Sequence, residues 1–275
     1  IAVYLDNDAG REAVLTALGC FAIGAVVVPM NTRSSSEELK HAFELVRPNL
    51  TVTSRARLTG LRAVMPCRFA IIDDPDENSV LWPDPVDFYS EVSSPYHIDP
   101  QRLACLLFTS GTTLRSKAVM HTHQSMIGAG FAVGEAVGLN EHDLYQGAFP
   151  FFTSSCLNLG CMSSWVHGAG FVLEHRSEND ARLRLIENER TTVYHGVPSV
   201  IQFMLDEYER RPYGLKNVRR IAYGGAAMPT PTIGRISDTW PWLYQVQIWG
   251  MTESGPAGAW LSPHWLPKKA GLIGA

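Results

Sequence analysis

Short apolar runs alternate with amphipathic stretches along most of this chain. In the first 72 residues, apolar and β-branched runs predict strands at 1–5, 25–30, 50–53 and 69–72. The segments between them space their apolar residues as helices do, which predicts helices at 11–23, 36–46 and 57–64. Strands that alternate with helices in this way are typical of a βαβ layer with parallel strands.

The helix predicted at 36–46 carries the clearest local signals. Ser35 and Glu38 have the spacing of a capping box, in which each side chain binds the other residue's backbone N–H. Leu39, Phe43 and Val46 lie on one face of such a helix. We therefore expect this face to pack on the sheet.

The alternation stops between residues 73 and 100 and resumes afterwards. Prolines at positions 75, 83, 85, 95 and 100, with acidic residues between them, predict a long surface connection. Beyond it the pattern predicts helices from about 124 onward, at 180–189 and at 199–210, and strands at 103–108, 144–149, 170–173, 192–195, 219–223 and 244–249. We expect an α/β protein of two stacked α/β subdomains, with 1–72 as the first βα layer, 73–100 as the connection and 101–275 as the second part.

Composition narrows the class of protein. With 275 residues, 45% of them hydrophobic and 18% charged, the chain can bury a sizeable core and is not a disordered or fibrous sequence. The net charge is −4 and the sequence has no local Lys/Arg cluster, so it predicts no basic surface for binding nucleic acid. The 5 cysteines form an odd set without a Cys-x-x-Cys pair, which favours reduced thiols in a cytoplasmic protein.

One segment has the length of a membrane span, and another has the spacing of a metal site. Residues 13–30 lack charge over about the length of a membrane span. Gly19, Gly24 and Pro29 interrupt them, however, so a buried helix followed by a buried strand explains them better, and we expect no transmembrane segment. His121 and His123 have a metal-like spacing but no third ligand, so hydrogen-bonding or exposed roles are expected instead.

A hydroxyl-rich loop follows the strand predicted at 103–108. Its candidate phosphate-binding residues are Thr109, Ser110, Gly111, Thr112, Thr113 and Lys117. Small residues let backbone N–H groups approach phosphate oxygens, hydroxyls add neutral donors, and Lys117 adds a positive charge. We expect this loop at the carboxyl end of a strand in an open α/β sheet, where ligands bind. The loop is not a Walker A motif, and on its own such a cluster also fits a plain surface turn.

Two later segments favour the phosphate interpretation. Residues 221–229, Ile-Ala-Tyr-Gly-Gly-Ala-Ala-Met-Pro, and residues 245–253, Gln-Val-Gln-Ile-Trp-Gly-Met-Thr-Glu, each predict a strand that ends in a glycine turn. With the loop at 109–118, these turns resemble, in order, the motifs of the adenylate-forming superfamily of acyl-CoA synthetases, luciferases and peptide-synthetase adenylation domains. Residues 19–31 and 148–152 also look like parts of that family, so the resemblance covers nearly the whole chain.

The resemblance implies that a carboxylic acid attacks ATP to give an acyl-adenylate and pyrophosphate, after which a thiol, expected to be coenzyme A, takes the acyl group. It implies that the hydroxyl-rich loop holds the β- and γ-phosphates and that Glu253 binds Mg²⁺. The expected catalytic residues are Lys117, Thr252 and Glu253. Beyond the loop, the expected nucleotide-binding residues are Gly224, Gly225, Ala226, Gln247, Trp249, Gly250 and Thr252.

The acid is expected between residues 151–153 and the Gly-Gly-Ala turn. Its candidate walls are Phe151, Phe152, Trp165 and His195, each of which also fits a plain core position. The chain does not indicate which acid it is. Taken alone, Glu253 would be an ordinary solvated acid and Trp249 a core residue; their shared turn favours function.

Several positions depart from the family pattern. Leu114, Ser116 and Ala118 stand where the family has Gly, Pro and Gly, Thr153 where many members have His, and Ile248 where Gly often occurs. A non-glycine residue at a position of positive φ costs strain, so a degenerate nucleotide- or acyl-binding protein without turnover is one alternative. An adenylation domain that loads a carrier protein is another.

The later family motifs are absent from this sequence. We expect a fragment of a larger N-terminal domain, truncated at both ends, without the C-terminal domain whose lysine completes adenylation and inactive by itself. A homodimer of the full-length protein is an open alternative.

Overall fold

The computed structural model describes residues 1–82, 97–109, 116–175, 178–255, 258–266 and 268–272. The chain divides into two compact units. Unit 1 comprises Ile1–Ser125 and Phe151–Thr153, and unit 2 comprises Met126–Pro150 and Ser154–Ala275. The predicted division into 1–72, 73–100 and 101–275 stays a prediction.

The predicted strands of the first 72 residues form one parallel sheet in unit 1. Its elements are β1 (Ala2–Tyr4), α1 (Gly10–Ile23), β2 (Val28–Pro29), α2 (Ser36–Val46), β3 (Leu50–Thr53), α3 (Arg55–Val64), β4 (Arg68–Ile71) and β5 (Val80–Leu81). The strand order is β2-β1-β3-β4-β5, with every neighbouring pair parallel. The predicted βαβ layer is confirmed.

Local signals placed α2 correctly. Glu38 N–H donates to Ser35 Oγ at 3.3 Å, and Ser35 N–H donates to Glu38 Oε2 at 2.8 Å, so the capping box is formed. Leu39 and Phe43 are buried in the core of unit 1, and Val46 packs against that core. The apolar face of α2 therefore covers the sheet as its spacing predicted.

Within the predicted surface connection at 73–100, the part that the structure describes contains one short strand, β5. This strand pairs with β4 at the edge of the sheet, and the side chains of Val80 and Leu81 are 50% and 54% exposed. Such a short, exposed strand leaves no alternating pattern in the sequence. Residues 83–96, with their three prolines, lie outside the described residues.

The strands on either side of the hydroxyl-rich loop pair with each other. β6 (Leu103–Thr109) pairs antiparallel with β7 (Lys117–Thr122), and α4 (His123–Val137) follows directly. β6 ends at Thr109, where the loop begins, and its Cys105 also forms a parallel bridge with Val27 beside β2. The sequence analysis missed β7, and residues 110–115 lie outside the described residues. All but one of the β7 residues are at least partly exposed, so burial did not shape their pattern.

Unit 2 contains a six-stranded sheet in the order β13-β12-β11-β10-β8-β9. After α4, its elements are β8 (Leu144–Gly147), a π-helix (Ser155–Cys161), α5 (Met162–Val166), β9 (Gly170–Leu173), α6 (Asn179–Glu189), β10 (Val193–Gly196), α7 (Pro198–Arg210), β11 (Arg220–Gly224), α8 (Thr230–Thr239), β12 (Tyr244–Trp249) and β13 (Ala259–Leu261). The pairs from β9 to β12 are parallel and only β13 runs antiparallel. Its core contains Tyr194, Ile201, Ile221, Ile233 and Trp240.

The sequence analysis missed the π-helix, α8 and β13. Pro231 lies in the first turn of α8, where the missing N–H costs nothing, but in the sequence Pro229 and Pro231 look like helix breakers.

The apolar stretch at 13–30 forms most of α1 and all of β2. Among the helices of the described ranges, none is long and apolar enough to cross a membrane. All five cysteines are free thiols, and four of them are buried.

Candidate functional site

Two of the predicted glycine turns lie side by side in unit 2. β11 and β12 are neighbouring parallel strands, with Gly224 in register with Ile248. Because both strands run in the same direction, the residues that follow them meet at the same edge of the sheet. The carboxyl edge of a parallel sheet is where α/β proteins bind ligands.

Glycine is required at positions 224 and 225 for two different structural reasons. A Cβ atom at Gly224 would lie 2.4 Å from the backbone oxygen of Ile248, so no larger residue fits beside β12. Gly225 has a φ of +78°, in the left-handed region that favours glycine. Gly225 and Ala226 are exposed, so the turn presents uncovered backbone to a ligand.

We expect Gly224→Ala to lower the free energy of unfolding by about 1–3 kcal/mol, because the added methyl group meets backbone atoms that cannot rotate away. Gly234→Ala is the matched control, since a Cβ at Gly234 in α8 meets no atom within 4 Å. That change should be neutral or stabilising, because alanine is the better helix former. Urea unfolding measures both. Equal stability of the Gly224→Ala variant and the unchanged protein would contradict the steric argument.

Trp249, at the end of β12, is not a core residue. Its side chain is 44% exposed. A Cβ at Gly258 would lie 2.8 Å from its ring, so the ring rests against the backbone at the start of β13. A rigid, half-exposed indole at a ligand-binding edge is suited to stacking on a planar ligand.

Thr252 and Glu253 belong to a short 3₁₀ turn, Thr252–Ser254. Ser254 Oγ donates to Met251 O at 3.1 Å, and Gly255, with a φ of +67°, ends the turn. Thr252 is partly exposed and Glu253 is exposed. Glu253 forms no ion pair with any residue in the described part of the chain, so its carboxylate is available to a cation.

The chemistry of Glu253 fits Mg²⁺, a hard cation that binds through one or two carboxylates and otherwise through water and phosphate oxygens. Over the described ranges, no three His, Cys, Asp or Glu side chains come together as a metal site. This finding includes the His121 and His123 pair. A metal ion here would therefore depend on Glu253 together with oxygens from a bound phosphate.

Gln247 and Gly250 complete the expected nucleotide-binding set in unit 2. Gln247 is 6% exposed, and its Nε2 donates to Leu272 O at 2.7 Å. Its Oε1 accepts no hydrogen bond from any described residue. Gly250 is partly buried and links β12 to the 3₁₀ turn.

In unit 1, the structure places the two residues that flank the hydroxyl-rich loop. Thr109 and Lys117 are paired across the β6–β7 hairpin, so both lie at the base of the loop. Lys117 is exposed and has no ion-pair partner within the described ranges. The predicted phosphate-binding residues Ser110, Gly111, Thr112 and Thr113 lie outside the described residues, as does Leu114.

The residues that were expected to line the acid-binding site differ in burial. His195 is 2% exposed and lies 2.5 Å from the Tyr145 hydroxyl through its Nδ1. Burial lowers the pKa of His195 to about 3, so the imidazole is neutral at ordinary pH. Phe151 is 1% exposed in unit 1. His195 and Phe151 are thus buried and Phe152 and Trp165 are partly exposed, and their role as walls of the acid site stays a prediction.

Sequence reasoning missed a pair of polar residues in unit 2. Ser154 and Asn158 are buried, and their side-chain polar atoms have no hydrogen-bond partner in the described structure. In the sequence, a serine and an asparagine within an otherwise apolar segment form no recognisable motif. Only burial without a partner marks them, and that is a property of the folded chain.

Comparison with known proteins agrees with this arrangement. The family model described as AMP-binding enzyme matches residues 1–275. A 2-succinylbenzoate–CoA ligase of Bacillus licheniformis is 29% identical over 273 residues, covering 99% of this chain and 54% of that protein. A feruloyl-CoA synthase of Amycolatopsis is 27% identical, covering 94% of this chain and 50% of that protein. The chain thus spans about half the length of these curated relatives.

Solved structures share the fold. A long-chain-fatty-acid-CoA ligase from Archaeoglobus fulgidus superposes with a TM-score of 0.86 at 22% identity, covering 100% of this chain and 56% of that one. The complex of VinN with L-aspartate has a TM-score of 0.85 at 23% identity, covering 99% of this chain and 68% of that one.

Proposed function

The chain belongs to the AMP-binding enzyme family, and from that premise we propose that the protein containing it activates a carboxylic acid with ATP and then forms a thioester with coenzyme A. In the first step a carboxylate oxygen attacks the α-phosphorus, and the bond to the β-phosphate oxygen breaks to release pyrophosphate. In the second step the thiol sulfur attacks the acyl carbon, its proton passes to solvent, and AMP leaves.

The observation that carries the proposal is the pair of adjacent turns at the carboxyl edge of the unit 2 sheet. They combine exposed backbone at Gly225 and Ala226 with a half-exposed indole and a carboxylate that forms no ion pair within the described residues. These are the groups needed to hold adenine and a metal-bound phosphate. The names of both curated relatives describe the joining of an acid to coenzyme A, which supports the same reaction class.

In this proposal each residue has a defined task. Trp249 stacks on adenine beside the Gly224–Ala226 turn, and Thr252 donates to a phosphate. Glu253 holds Mg²⁺, which neutralises charge on the phosphates. Lys117 and the hydroxyl-rich loop from Thr109 to Thr113 bind the β- and γ-phosphates.

Exchange of labelled pyrophosphate into ATP by the full-length protein, with a panel of carboxylic acids, tests the first step. We expect exchange that depends on both an acid and Mg²⁺ and that stops when EDTA is added. Adding coenzyme A should then convert the acyl-adenylate to a thioester, which mass spectrometry detects. ATP binding without exchange for any acid would favour the degenerate binder that Leu114 and Ser116 leave open, and would contradict the proposed enzyme.

A further inference from the structure

A hydrogen bond connects helix α2 to the residue that precedes Lys117. His41, in α2, is partly buried, and its Nε2 lies 3.3 Å from the backbone oxygen of Ser116. A carbonyl oxygen only accepts, so His41 Nε2 is the donor. The two residues are 75 positions apart in the chain. The contact therefore depends on the fold, and His41 belongs to none of the motifs found in the sequence.

Both partners of this bond belong to elements that pack on the core of unit 1. Phe43 of α2 is buried in that core, and Leu106 and Phe108 of β6 pack against it. β7 pairs with β6 and also contacts α2. Because a packed core resists displacement of its elements, His41 is held at a fixed place beside Ser116.

Ser116 precedes the only lysine expected at the phosphates, and its own residue type does not fix the backbone. It stands where the family has Pro, whose ring fixes φ at about −65°. Lys117 is exposed and forms no ion pair within the described ranges, so no acidic side chain there orients it. The oxygen that His41 binds belongs to the peptide group that joins Ser116 to Lys117. Since that group is planar, a bond to its oxygen also fixes the direction of the Lys117 N–H.

We propose that His41 is a positioning residue for ATP binding: its hydrogen bond to Ser116 O fixes the peptide group before Lys117, as proline does in the family. This role rests on the proposed function, in which Lys117 binds the β- and γ-phosphates. His41 acts through Lys117 and not on the carboxylic acid, so its loss should weaken ATP binding and leave recognition of the acid unchanged. The departure from the family at Ser116 is then compensated from α2.

Acid-dependent pyrophosphate exchange by the full-length protein tests this role, with KM measured separately for ATP and for the acid. His41→Phe removes the donor and keeps a planar ring, whereas His41→Gln keeps an amide N–H that can donate. Ser116→Pro is made alone and together with His41→Phe. His97→Phe is the matched control, because His97 is an exposed histidine of the same unit.

We expect His41→Phe to raise KM for ATP about three- to tenfold, as the loss of one hydrogen bond would, and to change KM for the acid less than about twofold. His41→Gln should keep KM for ATP within about twofold of the unchanged protein. Ser116→Pro should recover most of the loss in the His41→Phe background, because a fixed φ replaces the missing bond, and should have a smaller effect alone. His97→Phe should change neither KM. His41→Ala carries the test if His41→Phe does not fold.

An unchanged KM for ATP in His41→Phe overturns the positioning role while the proposed function stands. An equal rise of both KM values that neither His41→Gln nor Ser116→Pro prevents also overturns it, since a general disturbance of unit 1 would have that effect. Absence of exchange with every acid contradicts the proposed function instead. Calorimetric titration of ATP then replaces KM, and equal affinities of His41→Phe and the unchanged protein, or no binding to either, would overturn the positioning role as well.

Discussion

Glu253→Gln in the full-length protein is expected to lower the rate of acid-dependent adenylation by about 100-fold or more. Glutamine keeps the volume of the side chain but removes the charge that would hold Mg²⁺ at the phosphates. Loss of one element that stabilises developing charge typically costs about 10²–10³ in rate. The kcat of pyrophosphate exchange, measured over a range of Mg²⁺ concentrations, reports the loss.

The control for this variant is Glu189→Gln, which removes the charge of an exposed glutamate at the end of α6. It should leave exchange unchanged. Binding of ATP in the absence of Mg²⁺, followed by calorimetry, should be similar in the Glu253→Gln variant and the unchanged protein. Full turnover of Glu253→Gln at saturating Mg²⁺ would remove this residue from the proposed metal site.

Helices and strands were predicted most accurately where the local residue pattern agrees with the position of the element in the fold. In α2, the capping box of Ser35 and Glu38 fixes the start of the helix, and the apolar spacing fixes its buried face. Strands β3, β9 and β12 were predicted with their observed bounds. For each of these elements, the residues that predict it lie within the element or a few positions from it.

The elements that were missed depend on their surroundings. β5 and β13 have two and three residues and lie at sheet edges, so no apolar run marks them. β7 becomes a strand because β6 lies beside it, and its own residues are mostly exposed at least in part. Short edge strands take their structure from a partner strand, and a single sequence does not show that partner.

The same distinction applies to the candidate site. Gly224 and Gly225 were predicted from the family resemblance, and the structure adds a close strand contact at the first and a positive φ at the second. The resemblance also placed their turn beside Trp249, and the parallel pairing of β11 with β12 brings the two turns to the same sheet edge. Ser154 and Asn158 could not be predicted, since a polar residue becomes informative only when it is buried and left without a partner.

Arg182→Met is expected to lower the free energy of unfolding by about 3–5 kcal/mol, the largest stability effect we expect from a single substitution in this chain. Arg182, in α6, and Glu174, after β9, form an ion pair with Nε and Oε2 2.8 Å apart, and their side chains are 5% and 4% exposed. Gln146 Nε2 also donates to Glu174 Oε1 at 2.9 Å, and Thr191 Oγ1 to Gln146 Oε1 at 2.6 Å. Removing the arginine takes away the ion pair of a carboxylate that is buried at the centre of this network.

The same helix provides a control that differs mainly in burial. Arg184 pairs with Asp180 at 2.8 Å, but both side chains are 47% exposed. Arg184→Met should leave the urea midpoint nearly unchanged, because exposed pairs are screened by water and salt. Equal effects of the Arg182 and Arg184 substitutions would show that burial does not decide the strength of these pairs.

A second substitution separates the buried charge from the lost packing. Glu174→Gln in the Arg182→Met background removes the buried negative charge, while the glutamine oxygen can still accept from Gln146 Nε2. If the cost of Arg182→Met comes from a buried carboxylate that has lost its ion pair with Arg182, the double variant should recover at least about half of the lost stability. Urea unfolding followed by tryptophan fluorescence measures all three variants. A double variant no more stable than Arg182→Met alone would assign the cost to the packing of the arginine stem within unit 2 and not to charge.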